Sequence, residues 1–338
     1  MPEIGEVARI VHYLKKHAVG RTIAKVRTQV DDIVYTKQNC SHITFEKEVT
    51  GKAIVDAKQQ GKYFWIELDH KIQPLMHFGM SGWMKFSNDD TAYYRPAQEK
   101  GIGGEEWPPK YWKFILELEG EPDCQIAFVD PRRLGRIRLI RTPGADIRKK
   151  EPLKDNGPDP LVDKGIFTEK WLGQKLKSKR VPVKALLLDQ ANISGIGNWV
   201  GDEILYQAKI HPEQYSNTLS EAQVEELYKS IMNVCGIAVN TLAESSKFPA
   251  DWLMKYRWGK GKGNSKLPNG QKIEHIKVGG RTSAIVPSVQ KKTGPVAGDV
   301  GGNNGKRKND KGKEDEEEED EDNESDKPKP KRTRVSKS

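Results

Sequence analysis

Cysteine is scarce in this chain, and what little there is lies apart: Cys40, Cys124 and Cys235 form no CxxC pair, and the seven histidines show no HxxxH spacing beside them. That argues against a disulfide framework and against a structural zinc site, and leaves the thiols as small buried apolar residues. Long apolar runs are missing too. None approaches the 18 residues that a spanning helix needs, and no signal-peptide pattern is present, so the reading is a soluble, intracellular chain that no segment anchors in a membrane. What the sequence does have is positive charge, 57 Lys and Arg against 48 Asp and Glu in 338 residues. The charge is uneven: residues 295–338 hold 11 basic and 13 acidic residues, so the overall +9 becomes +11 on residues 1–294. A basic body favours a polyanion, nucleic acid first and an anionic membrane surface second.

The length predicts two domains and a tail. Val7, Ile10, Val11 and Leu14 recur at helical spacing over residues 5–17, and Gly20 ends the pattern. Seven short β-branched or aromatic runs follow, at 22–28, 54–57, 63–68, 73–78, 112–118, 125–129 and 136–140, and predict an antiparallel sandwich or barrel. Beyond a boundary near 146–157 the period turns helical, over 167–176, 182–188, 199–207 and 219–242. Residues 271–278 and 281–286 flank Gly279-Gly280, a hairpin signal. The chain divides into 1–145, 146–247, 248–293 and a charged tail, 294–338, whose composition predicts disorder. In that tail the acidic run Glu314 to Asp322 reads as a solvated segment or as a decoy competing with DNA, and the basic clusters 306–308 and 327–334 as a nuclear import signal or a loose DNA-contacting tail.

The start, Met1-Pro2-Glu3, has a chemical reading. Trimming Met1 would leave Pro2 with a free secondary amine, which can attack an aldehyde-like carbon and become an iminium, an electron sink that no ordinary backbone nitrogen provides. Its reference pKa of about 8 leaves an appreciable minority unprotonated at neutral pH. Glu3 beside it could move protons to or from whatever Pro2 attacks. Three further segments bear on this. His77-Phe78-Gly79-Met80-Ser81-Gly82 is a glycine turn that exposes Met80; Asp130-Pro131-Arg132-Arg133-Leu134-Gly135 presents two guanidiniums beside an apolar side chain; Ser194-Gly195-Ile196-Gly197-Asn198-Trp199 is a glycine-rich approach to a helix start, able to hold a phosphate.

Taken in order, with Gly157-Pro158-Asp159-Pro160-Leu161 and Leu188-Asp189-Gln190, these segments closely resemble the Fpg/Nei family of DNA glycosylases over residues 2 to about 291. Within it the chain is similar to the plant and fungal formamidopyrimidine-DNA glycosylases, because the closing hairpin Gly279 to Ala284 has a zinc-finger-like position without cysteine ligands. The resemblance implies an α+β fold: an N-terminal antiparallel β-sandwich with a leading helix, then a helical domain with a helix-two-turn-helix and a zincless-finger hairpin. It implies a bifunctional DNA glycosylase and AP lyase of base excision repair, acting as a monomer on double-stranded DNA with oxidised bases or abasic sites, with no metal, cofactor or membrane partner, while the basic tail clusters point to the nucleus.

By the same resemblance Pro2 attacks the sugar C1′, Glu3 protonates the opening ring, and β- and δ-elimination sever the strand. Lys62 contacts a backbone phosphate near the catalytic centre, Glu203 is a second carboxylate near the pocket, and Asn198, Arg281 and Arg133 grip phosphates. Met80, Arg132 and Leu134 fill the gap left by the extruded base, two as apolar wedges and the arginine against the widowed base. Three departures stand out. Gly5 replaces a second proline and is expected to relax the start of the first helix; Leu134 replaces a phenylalanine wedge; and 248–263 is shorter than the bacterial loop that caps flipped 8-oxoguanine. Formamidopyrimidines and further-oxidised guanines are therefore expected to be better substrates than 8-oxoguanine. Two other classes remain: a non-catalytic damaged-DNA binder on the same fold, and a small-molecule enzyme using an N-terminal proline.

Overall fold

In the computed structural model, residues 1–36, 40–91, 106–258 and 265–297 are described. The first helix, α1 (Ile4–His17), is followed by β1 (Ile23–Thr28), α2 (His42–Val49), β2 (Ile54–Gln60), β3 (Tyr63–Leu68), β4 (Gln73–His77), β5 (Trp83–Phe86), β6 (Trp112–Leu118), β7 (Gln125–Val129) and β8 (Arg136–Ile140). These strands make two antiparallel four-stranded sheets, ordered β1-β6-β7-β5 and β2-β3-β4-β8. Alternation along the strands sends Phe64, Ile66 and Leu68 of β3, and Phe114, Leu116 and Leu118 of β6, into one core with Phe45, Phe78 and Phe128. Val7, Ile10 and Leu14 of α1 complete it. The opposite face of β3 and β4 buries Trp65 and Leu75 against Ile147 and Leu153, where the chain leaves the sandwich.

The second half contains α3 (Glu169–Lys177), α4 (Val183–Leu188), α5 (Asn198–Gln207) and α6 (Glu221–Asn240), then the hairpin β9 (Glu274–Val278) and β10 (Arg281–Ile285). Ser220 and Gln223 form a capping box that starts α6. Two tight turns join α4 to α5: Asp189 accepts the amides of Asn192 and Ile193, and Gln190 closes the second turn by accepting from Gly195 N–H and donating to Ile196 C=O. Helix α1 is shared between the halves, since Ile4 belongs to the helical core with Ile196, Val200 and Ala238. Gly5 lies at that crossing. A Cβ there would sit 2.9 Å from the Ala238 carbonyl oxygen, so its effect is to let α1 approach α6 rather than to relax the helix start.

Two elements lie outside the sequence expectations, α2 and β5, and β2 runs three residues further than its apolar run suggests, to Gln60. The tail also begins later than residue 294. Val296 is fully buried and bridges Gln214, Pro295 C=O accepts Tyr215 N–H at 3.1 Å, and Ala297 N–H donates to Glu213 C=O at 3.0 Å. The acidic run and both basic clusters lie outside the described residues. Among the described residues no helix is long and apolar enough to cross a membrane.

Candidate active site

Two helix N-termini, from α1 and α5, meet at Glu3. Pro2 is buried one residue before it. The Glu3 carboxylate accepts three backbone amides of the α5 start: Gly197 N–H at 2.8 Å, Trp199 N–H at 3.0 Å and Val200 N–H at 3.1 Å. Such amides are the otherwise unpaired donors of a helix end, and the helix dipole adds to them, so together they hold a buried carboxylate. Gly197 makes the approach possible. A Cβ on it would fall 2.2 Å from Glu3 Cδ.

Glu6, one turn along α1, accepts Glu3 N–H at 2.9 Å and the Trp199 indole N–H at 3.1 Å. Burial, and then the nearby Glu3 charge, push its carboxyl up to about 7. It is therefore a group able to exchange a proton at neutral pH beside Pro2. Sequence reasoning gave it no role, because an acid three residues after a helix cap reads first as part of the cap.

Lys62 follows Gly61 in the turn between β2 and β3 and is buried, and among the described residues no hydrogen bond or ion pair ends on its Nζ. Burial lowers its pKa, Glu3 and Glu6 oppose that shift, and Arg281 and Lys184 add to it, so acids and cations both act at this point. Asp159, expected only as part of a motif, holds the turn: its carboxylate accepts Gly61 N–H at 2.7 Å. His77 adjoins the cationic group. Burial, with the charges of Lys62, Arg138 and Arg136, pushes it down to about 3, so its neutral ring accepts Gly79 N–H through Nδ1 at 2.9 Å. Asn198 opens α5 and donates through Nδ2 to Thr282 C=O at 3.0 Å, while its Oδ1 is buried without a partner. Arg281 starts β10 directly after the Gly279-Gly280 turn.

The two loops expected to fill a gap lie side by side, tied by Asp130. Its fully buried carboxylate accepts Ser81 Oγ–H at 2.6 Å, Gly135 N–H at 2.6 Å and Arg132 N–H at 3.2 Å. Half-buried Met80 and Leu134 and exposed Arg132 are thus presented on one rim. Arg133, beside them, pairs with Asp31 through Nε at 3.0 Å and Nη2 at 3.0 Å, and Lys113 grips the same carboxylate at 2.8 Å. The pair braces the loop and leaves Nη1 and the second Nη2 hydrogen of this half-exposed guanidinium for another acceptor.

Glu203 is buried in the helical half, where its carboxylate accepts Met254 N–H at 2.8 Å and the Gln207 amide at 2.7 Å and so anchors the segment before the hairpin. Within 248–258, Phe248 and Trp252 pack with Trp199, while 259–263 lie outside the described residues. Residues 265–297 contain no cysteine, and no cluster of possible metal ligands occurs among the described residues.

Comparison with known proteins matches this arrangement at three levels. The family model for the formamidopyrimidine-DNA glycosylase N-terminal domain matches residues 1–137, and that for the H2TH domain of the same enzymes matches 156–250. The formamidopyrimidine-DNA glycosylase of Arabidopsis thaliana is 37% identical over 88% of this chain and 73% of its own, and that of Desulfitobacterium hafniense 30% identical over 86% and 100%. The crystal structure of the Lactococcus lactis enzyme bound non-covalently to DNA containing an AP site superposes with a TM-score of 0.68 at 26% identity, over 86% of this chain and 100% of that one. A sandwich with a leading helix, the paired turns before α5, and these matches along both halves place the chain in the formamidopyrimidine-DNA glycosylase family.

Proposed function

We propose that this protein is a bifunctional DNA glycosylase and AP lyase that excises oxidised bases from duplex DNA through its N-terminal proline. The observation that carries the reading is the meeting of buried Pro2, the amide-held Glu3 carboxylate, the near-neutral Glu6 and the buried Lys62 amine at one point. While Met1 is attached, the Pro2 nitrogen is an amide and cannot attack, so the reaction requires its removal. The free amine then forms a bond to C1′ as the glycosidic bond breaks and the base departs with a proton. Ring opening places a proton on O4′, and loss of the amine proton gives the iminium. Glu3 and Glu6 are the groups placed to carry these protons. The iminium acidifies the C2′ proton; its removal expels the 3′-phosphate, a second elimination expels the 5′-phosphate, and water releases the amine.

Lys62, Asn198 and Arg281 contribute the phosphate grip, which makes affinity strongly salt-dependent. Met80, Leu134 and Arg132 take the space of the extruded nucleotide. With a leucine wedge and a short 248–263 segment, formamidopyrimidines and further-oxidised guanines rank above 8-oxoguanine, and the basic tail clusters direct a monomeric enzyme to the nucleus. Borohydride reduction on an abasic duplex tests the core of this reading. A covalent adduct is expected from protein whose intact mass lacks Met1, and it is lost when the Pro2 nitrogen is capped. Tight duplex binding with no adduct from such protein identifies a non-catalytic binder instead.

A further inference from the structure

A hairpin without metal ligands must be located by other means, and here the outer edge of β10 supplies them. Val278 pairs with Arg281 across the two-residue turn, so the backbone groups of 281, 283 and 285 face β9, and those of Thr282 and Ala284 face away. Those outward groups meet α5. Thr282 C=O accepts Asn198 Nδ2–H at 3.0 Å, and Ala284 N–H donates to Asp202 Oδ2 at 3.0 Å. The spacing matches: residues four apart on a helix are about 6 Å apart along its axis, and residues two apart on a strand about 6.8 Å. The two side chains therefore act as the missing neighbour strand.

Asp202 is itself fixed. Its Oδ2 also accepts Arg257 Nη2–H at 2.7 Å, and its Oδ1 pairs with Lys184, whose Nζ donates to Asn198 C=O at 2.8 Å. All three charged side chains are buried, at 1% exposure for Asp202, 0% for Lys184 and 8% for Arg257. We propose that Asp202 is a positioning residue: pairing with Ala284 locks the register of β10 on α5, and this register points Arg281 at the DNA backbone. A one-residue slip would turn Arg281 to the other face of the strand. The claim about register stands on the geometry alone, and the claim about DNA rests on the proposed glycosylase reading.

Two measurements on the full chain test it. In the unaltered protein the Ala284 amide, which faces away from β9, should be protected from hydrogen exchange, and exchange at the rate of an open amide overturns the register claim without touching the glycosylase reading. The second uses an uncleavable tetrahydrofuran duplex and an abasic duplex. Asp202→Asn, and more strongly Asp202→Ala, should weaken binding about tenfold and lower the slope of log affinity against log salt by about one. Adduct formation at saturating abasic duplex should stay within about threefold. Arg281→Ala should reproduce the loss of slope, and the double variant should lose no more than either alone. Additive losses, or a lost saturated rate with the slope unchanged, refute the positioning role. Where Asp202→Ala fails to fold, the exchange measurement and Asp202→Asn decide the matter. Failure of the unaltered protein to bind either duplex would count against the glycosylase reading and, with it, the DNA half of this proposal.

Discussion

Replacing Glu6 by glutamine should abolish a loss of stability that the parent suffers between about pH 5 and pH 7. Glu6 is 1% exposed, and its carboxyl is raised from 4.5 to about 7, chiefly by burial and next by Glu3. The folded chain therefore keeps this proton between 4.5 and about 7, where the unfolded chain has lost it. Stability is fully present below the lower value, falls as pH rises through the window, and is level above it. At about 1.4 kcal/mol per unit the ionised group costs about 3 kcal/mol at pH 8. Glutamine has one acceptor where Glu6 offers two, so its NH2 group meets either Glu3 N–H or the Trp199 indole N–H, and at pH 5 the variant should trail by about 1–3 kcal/mol. By pH 8 the difference should have moved about 3 kcal/mol in the variant's favour. Glu203, also raised to about 7, contributes the same slope to both proteins and cancels in the difference. Urea titrations from pH 5 to pH 8 read this directly, and single-turnover adduct formation should lose an inflection near pH 7 in the variant. A stability difference that stays constant across the range refutes the argument.

Gly197→Ala should cost about 2 kcal/mol and slow adduct formation, because its Cβ would fall 2.2 Å from Glu3 Cδ and force the carboxylate off the amides of α5. Thermal melting together with borohydride trapping checks this, and a variant indistinguishable from the parent in both would contradict it. Asp31→Asn should cost about 3 kcal/mol by leaving buried Lys113 unpaired, as read by the urea midpoint at pH 7. Lys113 and Arg133 hold the Asp31 carboxyl well below the usual range, so its contribution is present above about pH 4 and fades as pH falls. The variant's acid limb should therefore be flatter than that of the parent, and an unchanged midpoint would be incompatible with the Asp31 cluster.

Short aromatic and β-branched runs bounded by turn residues, such as β3 and β6, were legible in the sequence at their observed limits, and so was the two-glycine hairpin. These are local signals, residue type and turn chemistry. Helix α2 was not, because only Phe45 and Val49 are buried on it, too few to mark a face. Strand β5 hid behind the glycine turn at its start, with only Met84 and Phe86 turned into the core. For the site, Pro2 and Glu3 were singled out by the chemistry of the Met-Pro-Glu start and Lys62 by the family likeness, but their surroundings could not be read. Glu3 meets Gly197 across 194 residues, and Arg133 meets Asp31 across 102. Pairings so distant leave no periodic trace, so neither the amide cradle of Glu3 nor the Arg133–Asp31 pair could be read from the sequence.

Anchoring Glu3 to α5 has a consequence for how the molecule fails. The carboxylate that would handle protons for Pro2 is also the pin through which one half of the chain grips the other. A slight parting of the halves would strip that charge of its amides while each core stayed intact. Chemical competence would then vanish before any melting signal appeared, making trapping yield a more sensitive gauge of interdomain closure than calorimetry.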